Sequence, residues 1–298
     1  MQKYFLFLAA ILLYTACKTL PPKPEKMPVS TLAFNRIEGK GIHQIVLFYH
    51  FETENPRAAS MIMMIQNWKT TINGYEVNAQ NAVLKSNGDV FSSIPLSVAP
   101  GKTIEMDFEL YLDLNTYIQA AQNSPDKSPE FIEADEFITE LRLEVSCQYG
   151  STQPIIDYAS ATTKFPRIRE PEFSIISIAI MQAELINTRF AVTLKIDNPN
   201  PFPVTLSSLK YELFGHGLFW ADGNEQNVLA IPAKDSAQTR LFLIMNFINM
   251  KRGLLNEIIA MRRVNYRFTG EAQAGTTIPW LPQFSMKFDK SGYSEVFE

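Results

Sequence analysis

"KIDNPNPFPVTLSSL", residues Lys195 to Leu209, decides the fold. Just before and into it, Phe190, Val192, Leu194 and Ile196 alternate with Ala191, Thr193, Lys195 and Asp197, the period-two pattern of a strand with one face in a core. Pro199, Pro201 and Pro203 then lack amide hydrogens, so only Asn200 and Phe202 can donate from this stretch and ladder pairing must lapse. Each proline also drives its predecessor toward extended geometry, which excludes a helix. Asp197 and Asn198 can accept local backbone hydrogen bonds as the strand ends. The expectation is a rigid corner that stops one strand in register and starts the next, with Phe202 and Val204 re-entering an apolar interior.

The same alternation recurs along the chain. Ile104, Met106, Phe108, Leu110 and Leu112 share one face, as do Leu141, Leu143, Val145 and Cys147, and again Val264, Tyr266 and Phe268. Turn clusters "SNGD" (86–89), "APGK" (99–102) and "ADGN" (221–224) separate such runs, and the glycines of "FGHGLF" read as a bulge or tight turn. Helices are few. "DLNTYIQAAQ" (113–122) and "KRGLLNEIIAMRR" (251–263) carry helical apolar stripes, and the acidic "SPEFIEADEF" (128–137) reads as a solvated helix starting at Ser128 and Pro129. The fold class is all-β with minor α, built as antiparallel sandwiches with about one helix each.

An internal duplication is expected. Asn55-Pro56 and Asn198-Pro199 stand 143 residues apart (198 − 55), and the same offset relates Trp68 to Tyr211 and Gly74 to Gly217. Both Asn-Pro pairs end a strand pattern and precede an apolar segment that closes on a glycine. Two tandem β-sandwich domains follow, 28–169 and 170–298, with "KFPRIREPEF" as a short restrained hinge. Trp68 and Tyr211 are expected to fill the two cores.

"LKIDNPNPFPVTLSSLKYEL" resembles the late embryogenesis abundant type 2 family, also called the water stress and hypersensitive response (WHy) domain. The family is a small antiparallel β-sandwich with one helix, in which a strand ends in Asn-Pro-Asn-Pro. Asn198, Pro199, Asn200, Pro201 and Phe202 align with that motif, as do Asn55 and Pro56 in the first copy, where Arg57, Ala58 and Ala59 replace Asn-Pro-Phe. The motif holds no catalytic residue. The resemblance implies a non-enzymatic binding or stress-protective module, with desiccation response attached to the family by name.

The opening "MQKYFLFLAAILLYTAC" reads as a targeting segment, with Lys3, the apolar run Phe5–Leu13 and small residues before Cys17. Its apolar run falls short of the roughly 20 residues that span a bilayer. "YTAC" resembles the lipobox of bacterial lipoproteins, which implies cleavage after residue 16 and acylation (palmitate) at Cys17; an ordinary secretory signal with an incidental Cys is the alternative. Residues 17–27, rich in Pro and Lys, then form a stiff tether. The expected address is a membrane-anchored lipoprotein on the periplasmic or cell-surface side.

The 298 residues are 46% hydrophobic and 19% charged, ordinary for a globular chain. A formal charge of −4 supplies no broad positive field, so no nucleic-acid partner is expected. With Cys17 acylated, Cys147 is left alone, a buried core thiol. His43 and His50 fall on opposite faces of an extended strand and lack a ligand set beyond neighbours such as Glu52, and His216 lacks any paired His or Cys, so neither metal nor cofactor is expected. No nucleophile elbow, phosphate loop or zinc-protease helix occurs. Trp280, between Pro279 and Leu281-Pro282, is the candidate interaction surface. The expected partner is an unidentified protein, or alternatively a lipid or other hydrophobic ligand carried in an apolar groove.

Overall fold

The computed structural model describes residues 25–78, 80–123, 134–182, 188–226, 229–245 and 263–297. The leader, Cys17, most of the tether, the stripe at 251–262 and most of the acidic run at 128–133 lie outside these residues. Within them the alternating segments are strands. Early in the chain come β1 (Val29–Gly39), β2 (Gln44–Glu54), β3 (Met61–Ile72), β4 (Tyr75–Glu76), β5 (Ala82–Ser86), β6 (Asp89–Val90), β7 (Leu96–Val98), β8 (Thr103–Asp113), β9 (Glu136–Gln148) and β10 (Ile155–Pro166). The later ones are β11 (Glu172–Gln182), β12 (Thr188–Asp197), β13 (Val204–Gly215), β14 (Leu218–Glu225), β15 (Leu229–Ile231), β16 (Ser236–Met245), β17 (Arg263–Thr276) and β18 (Gln283–Phe297). One helix, α1 (Leu114–Asn123), follows β8; Asp113 caps it by accepting from Asn115 N at 3.0 Å.

The strands pair as two five-stranded sheets, ordered β1-β2-β8-β5-β6 and β10-β9-β3-β4 with β7 on β3, and one eight-stranded sheet, ordered β14-β13-β17-β18-β11-β12-β16 with β15 on β13. Almost every ladder is antiparallel. The exception is a short parallel one between β11 and β18, Ser177 to Ala179 against Glu295 to Phe297, which joins the halves of the eight-stranded sheet.

Two apolar cores result. Phe51, Phe108 and Leu110 meet Met61, Met63, Leu143 and Val145 in the first. The second gathers Val192, Leu194, Leu213, Phe268 and Phe288, with the Phe173, Phe288 and Phe268 rings stacked at centroid separations of 4.5 and 5.0 Å. Tyr211 is buried here, whereas Trp68 is only half-buried at the margin of the first core, where a bulge between Ile65 and Asn67 turns it to the inward face with Thr70 and Ile72.

Hairpins follow residue chemistry. Asn73-Gly74, Asn87-Gly88 and His216-Gly217 all hold positive φ at both central positions, the type I′ geometry matched to twisted strands. The "ADGN" segment is not a turn: Asp222, Gly223 and Asn224 pair with Glu212, Tyr211 and Lys210 inside the β13–β14 ladder. A Cβ on Gly223 would collide with the Tyr211 ring, so this glycine makes room for an aromatic neighbour and does not reverse the chain.

The proline-rich corner is tied by one side chain. Asn198 is 2% exposed, and its Nδ2 donates to the carbonyls of Phe202 (2.9 Å), Pro232 (2.9 Å) and Ile231 (3.4 Å). Its Oδ1 accepts from Asn200 N (3.0 Å) and Asn200 Nδ2 (2.9 Å). Asn55, fully buried, repeats the pattern: Nδ2 donates to Ala59 O, Val98 O and Ala99 O, and Oδ1 accepts from Arg57 N and the Tyr149 hydroxyl. The carbonyls that the prolines leave without ladder partners are thereby satisfied.

Asn198→Ala should therefore strand buried acceptors at about 1–3 kcal/mol each, and urea unfolding followed by circular dichroism should register a loss of about 3 kcal/mol. Asn198→Asp, which keeps the acceptor and discards the donor, should lose a comparable amount. A loss below about 1 kcal/mol in Asn198→Ala would mean that the corner does not hold the strands.

Candidate functional site

Of the residues singled out in the sequence, the motif asparagines come together with the chain segment that enters each sandwich. Asn200 clamps the backbone of Arg169, donating through Nδ2 to Arg169 O (2.8 Å) and accepting Arg169 N on Oδ1 (2.7 Å). Arg57 occupies the matching place at the other corner. Its Nε donates to Lys26 O (3.0 Å), its guanidinium pairs with Glu25 and it lies 4.3 Å over the Tyr149 ring. Pro199, Pro201 and Phe202 complete the corner, Phe202 being 8% exposed in the second core. Pro56 precedes Arg57 in the same way.

The "KFPRIREPEF" segment is fixed. Phe165 lies in the first core and Ile168 in the second. Asp135 receives Arg169 Nη1 at 2.6 Å and Lys234 Nζ at 2.7 Å, and both cations hold its carboxyl below the usual range, Lys234 foremost. Trp280 sits at this joint, half-buried. Its ring meets Phe165 edge-on at 6.2 Å, its carbonyl accepts Gly39 N at 3.0 Å, and a Cβ on Gly39 would press on the indole at 2.9 Å. Ile42, from the loop before β2, packs against the second core.

Two histidines sit in opposite environments. On the exposed face of β2, His50 Nδ1 lies 2.8 Å from Asp107 Oδ1 and Nε2 lies 3.2 Å from Glu52 Oε1, so the imidazolium is favoured and its pKa rises, chiefly through Asp107. Burial near the joint lowers that of His43, against the opposing pull of Glu170 and Asp113. Among the described residues no three His, Cys, Asp or Glu side chains are placed to hold a metal ion. Cys147 is buried without a disulfide, its thiol pushed up to about 11 by burial, which fits packing rather than reactivity.

Sequence patterning did not reveal a groove of about 440 Å³ at an open edge of the first sandwich. Its floor is Met63 and Ile65 of β3, and Ile104 and Met106 of β8 line it. The last two point inward in the strand pattern yet stay half-open, because β5 flanks β8 only from Glu109 to Leu112 and leaves this end of β8 an open edge. Residues 91–95 strap one sheet to the other, Phe91 N donating to Leu84 O and the Ser93 hydroxyl to Ile65 O. The strap and β6 leave Val90 and Ile94 67% and 60% exposed beside the groove.

These features define a β-sandwich protein with asparagine-tied corners, in which an apolar recess opens from the first core. Residues 193–292, running from β12 into β18, match the family model of the late embryogenesis abundant proteins, LEA type 2. No curated protein matches the chain significantly. Among solved structures, a protein from Archaeoglobus fulgidus is 16% identical, covering 41% of this chain and 97% of its own at a TM-score of 0.27. Red sea bream transglutaminase is 10% identical over 91% of this chain and 32% of its own, with a TM-score of 0.23. A Bacteroides uniformis beta-glucuronidase is 9% identical over 89% of this chain and 32% of its own, with a TM-score of 0.26.

The opposed histidine environments are separable by NMR. His43 should titrate below the ordinary value of about 6.5 and His50 above it, with Asp107→Asn returning His50 toward that value. The stability contributed by neutral His43 is present above the unfolded value and lost as pH falls from there through its lowered folded one. That from charged His50 is present below the unfolded value and lost as pH rises through its raised folded one.

Proposed function

We propose that this protein is a non-enzymatic lipoprotein of the extracytoplasmic side of a membrane, in which two LEA type 2-like sandwiches, 28–169 and 170–298, act as a binding or stress-protective module. The family match over residues 193–292 supports a stress-related or binding module of this kind. The observation that carries the reading to the first half is the bonding of Asn55, which repeats that of Asn198 down to the carbonyl four residues on. Arg57 takes over from Asn200 the role of holding the entering strand, donating to Lys26 O where Asn200 donates to Arg169 O. Both corners thus build scaffold, and neither presents a nucleophile with a base.

The anchor rests on the sequence of the leader and on Cys17. Several acyl chains on one Cys, at roughly 0.8 kcal/mol per buried methylene, hold a protein durably on a bilayer. Cells fed an alkyne fatty acid should label the wild-type protein in the membrane fraction, and Cys17→Ser should lose both label and sedimentation with membranes. Membrane association that survives this substitution without label would overturn the anchor. Pull-down of the anchored protein from native membranes then asks for its protein partner.

A second reading is favoured by the groove between β3 and β8, whose apolar floor suits a carrier of a lipid or other hydrophobic ligand. Organic extraction of the purified protein followed by mass spectrometry decides it. A stoichiometric apolar species supports the carrier, and a clean extract counts against it.

A further inference from the structure

We propose that the groove of the first sandwich takes a single-chain amphiphile with a cationic head group. The assignment rests on the carrier reading and adds the chemistry of the ligand. Three observations converge on it. The floor is made of buried Met63 and Ile65, with Ile104 and Met106 lining it, so a flexible alkyl chain meets only apolar surface there, and two thioethers let the wall adapt to it. The volume of about 440 Å³ falls in the range of small-molecule sites, roughly 300–1,000 Å³. Apolar area continues outward onto Val90 and Ile94, which give the chain a path from solvent to the floor.

The rim sets the head group. Asp89 and Glu105 stand on it with the hydroxyl and amide groups of Ser92 and Asn87, and among the described lining residues none is Lys or Arg. Glu105 alternates with inward-pointing Ile104 and Met106 and faces Glu52 across the β2–β8 ladder, so its carboxylate stands on the outer side of the strand, at the lip of the groove and not over its floor. The His50 imidazole that bonds Glu52 is engaged by Asp107 as well, so it does not reach the rim as a free cation. A carboxylate or phosphate head would meet like charge at the mouth, and an ammonium head would meet complementary charge.

Isothermal titration of the full chain carrying Cys17→Ser, so that no acyl group competes, tests this with dodecyltrimethylammonium, dodecyl maltoside and laurate, each below its micelle concentration. The ammonium should bind one to one and laurate about tenfold or more weaker, a difference of about 1.4 kcal/mol. Ile94→Asn with Met106→Asn should weaken all binding, whereas Asp89→Asn with Glu105→Gln should shrink the preference for the cation and leave the maltoside unchanged. Urea midpoints equal to the parent's establish that these variants are folded.

Absence of binding by all three probes overturns both the carrier reading and this assignment. Binding that is indifferent to head charge, or unmoved by Asp89→Asn with Glu105→Gln, overturns the cationic head alone. A dimer that disappears on Ile94→Asn gives the groove to a second copy of the chain and overturns the amphiphile.

Discussion

A single buried carboxamide, present at two places, is the constraint from which the rest of the structure follows. An asparagine side chain offers two donors and an acceptor on a short stem, and both Asn55 and Asn198 use that whole capacity inside the protein. Where prolines abolish ladder pairing, the amide collects the carbonyls of the departing segment and those of a distant loop, Val98 and Ala99 in one case and Ile231 and Pro232 in the other. That loop is itself locked from the backbone: Asn55 N donates to Lys102 O, and Asn198 N to Asp235 O. The left-handed residue of the loop is Gly101 at the first corner and Lys234 at the second, so the geometry is kept even where glycine is not. Aspartate could not substitute without loss, because it would bring charge and remove the donors at a buried site.

The two corners solve one mechanical problem with different residues. In the second, Asn200 reaches back to Asn198 and forward to Arg169, closing a chain of amides. In the first, the tyrosine hydroxyl of residue 149 and the guanidinium of Arg57 divide those duties. Arginine stacked on an aromatic ring is longer than an amide and keeps part of its side chain in solvent, whereas Asn200 is fully buried. Asp135 adds an ionic tie at the joint. Its depressed carboxyl gives stability that is present above the ordinary carboxylate value and fades as acid protonates it.

Most of the fold was legible in the sequence because strand faces announce themselves at period two and prolines forbid alternatives. The runs ending at Asp197, Leu112, Cys147 and Phe268 all became strands with the expected inward face. What failed were inferences in which a local signal competes with a distant partner. Gly223 looked like a turn because glycine usually marks one, and only the ring of Tyr211 across the ladder explains it. Ile104 and Met106 carry the same pattern as Phe108, yet what makes them a groove is a sheet that stops short, and no residue in β8 encodes that. The Asp107 partner of His50 lies 57 residues away and was equally invisible, although Glu52, two residues on, was noted.

The three tryptophans fall, one each, beside the first core, inside the second and at the seam between them. Trp220 lies 5.9 Å from Phe190 in a stacked pair and its indole nitrogen finds no acceptor among the described residues, whereas Trp68 borders a polar hollow near Arg142 and Trp280 is pinned by Gly39 and Phe165. Nature has thus installed a separate fluorophore in every mechanical part, each with its own polarity. Emission colour and quenching can therefore tell melting of either sandwich from parting of the two, with no label attached.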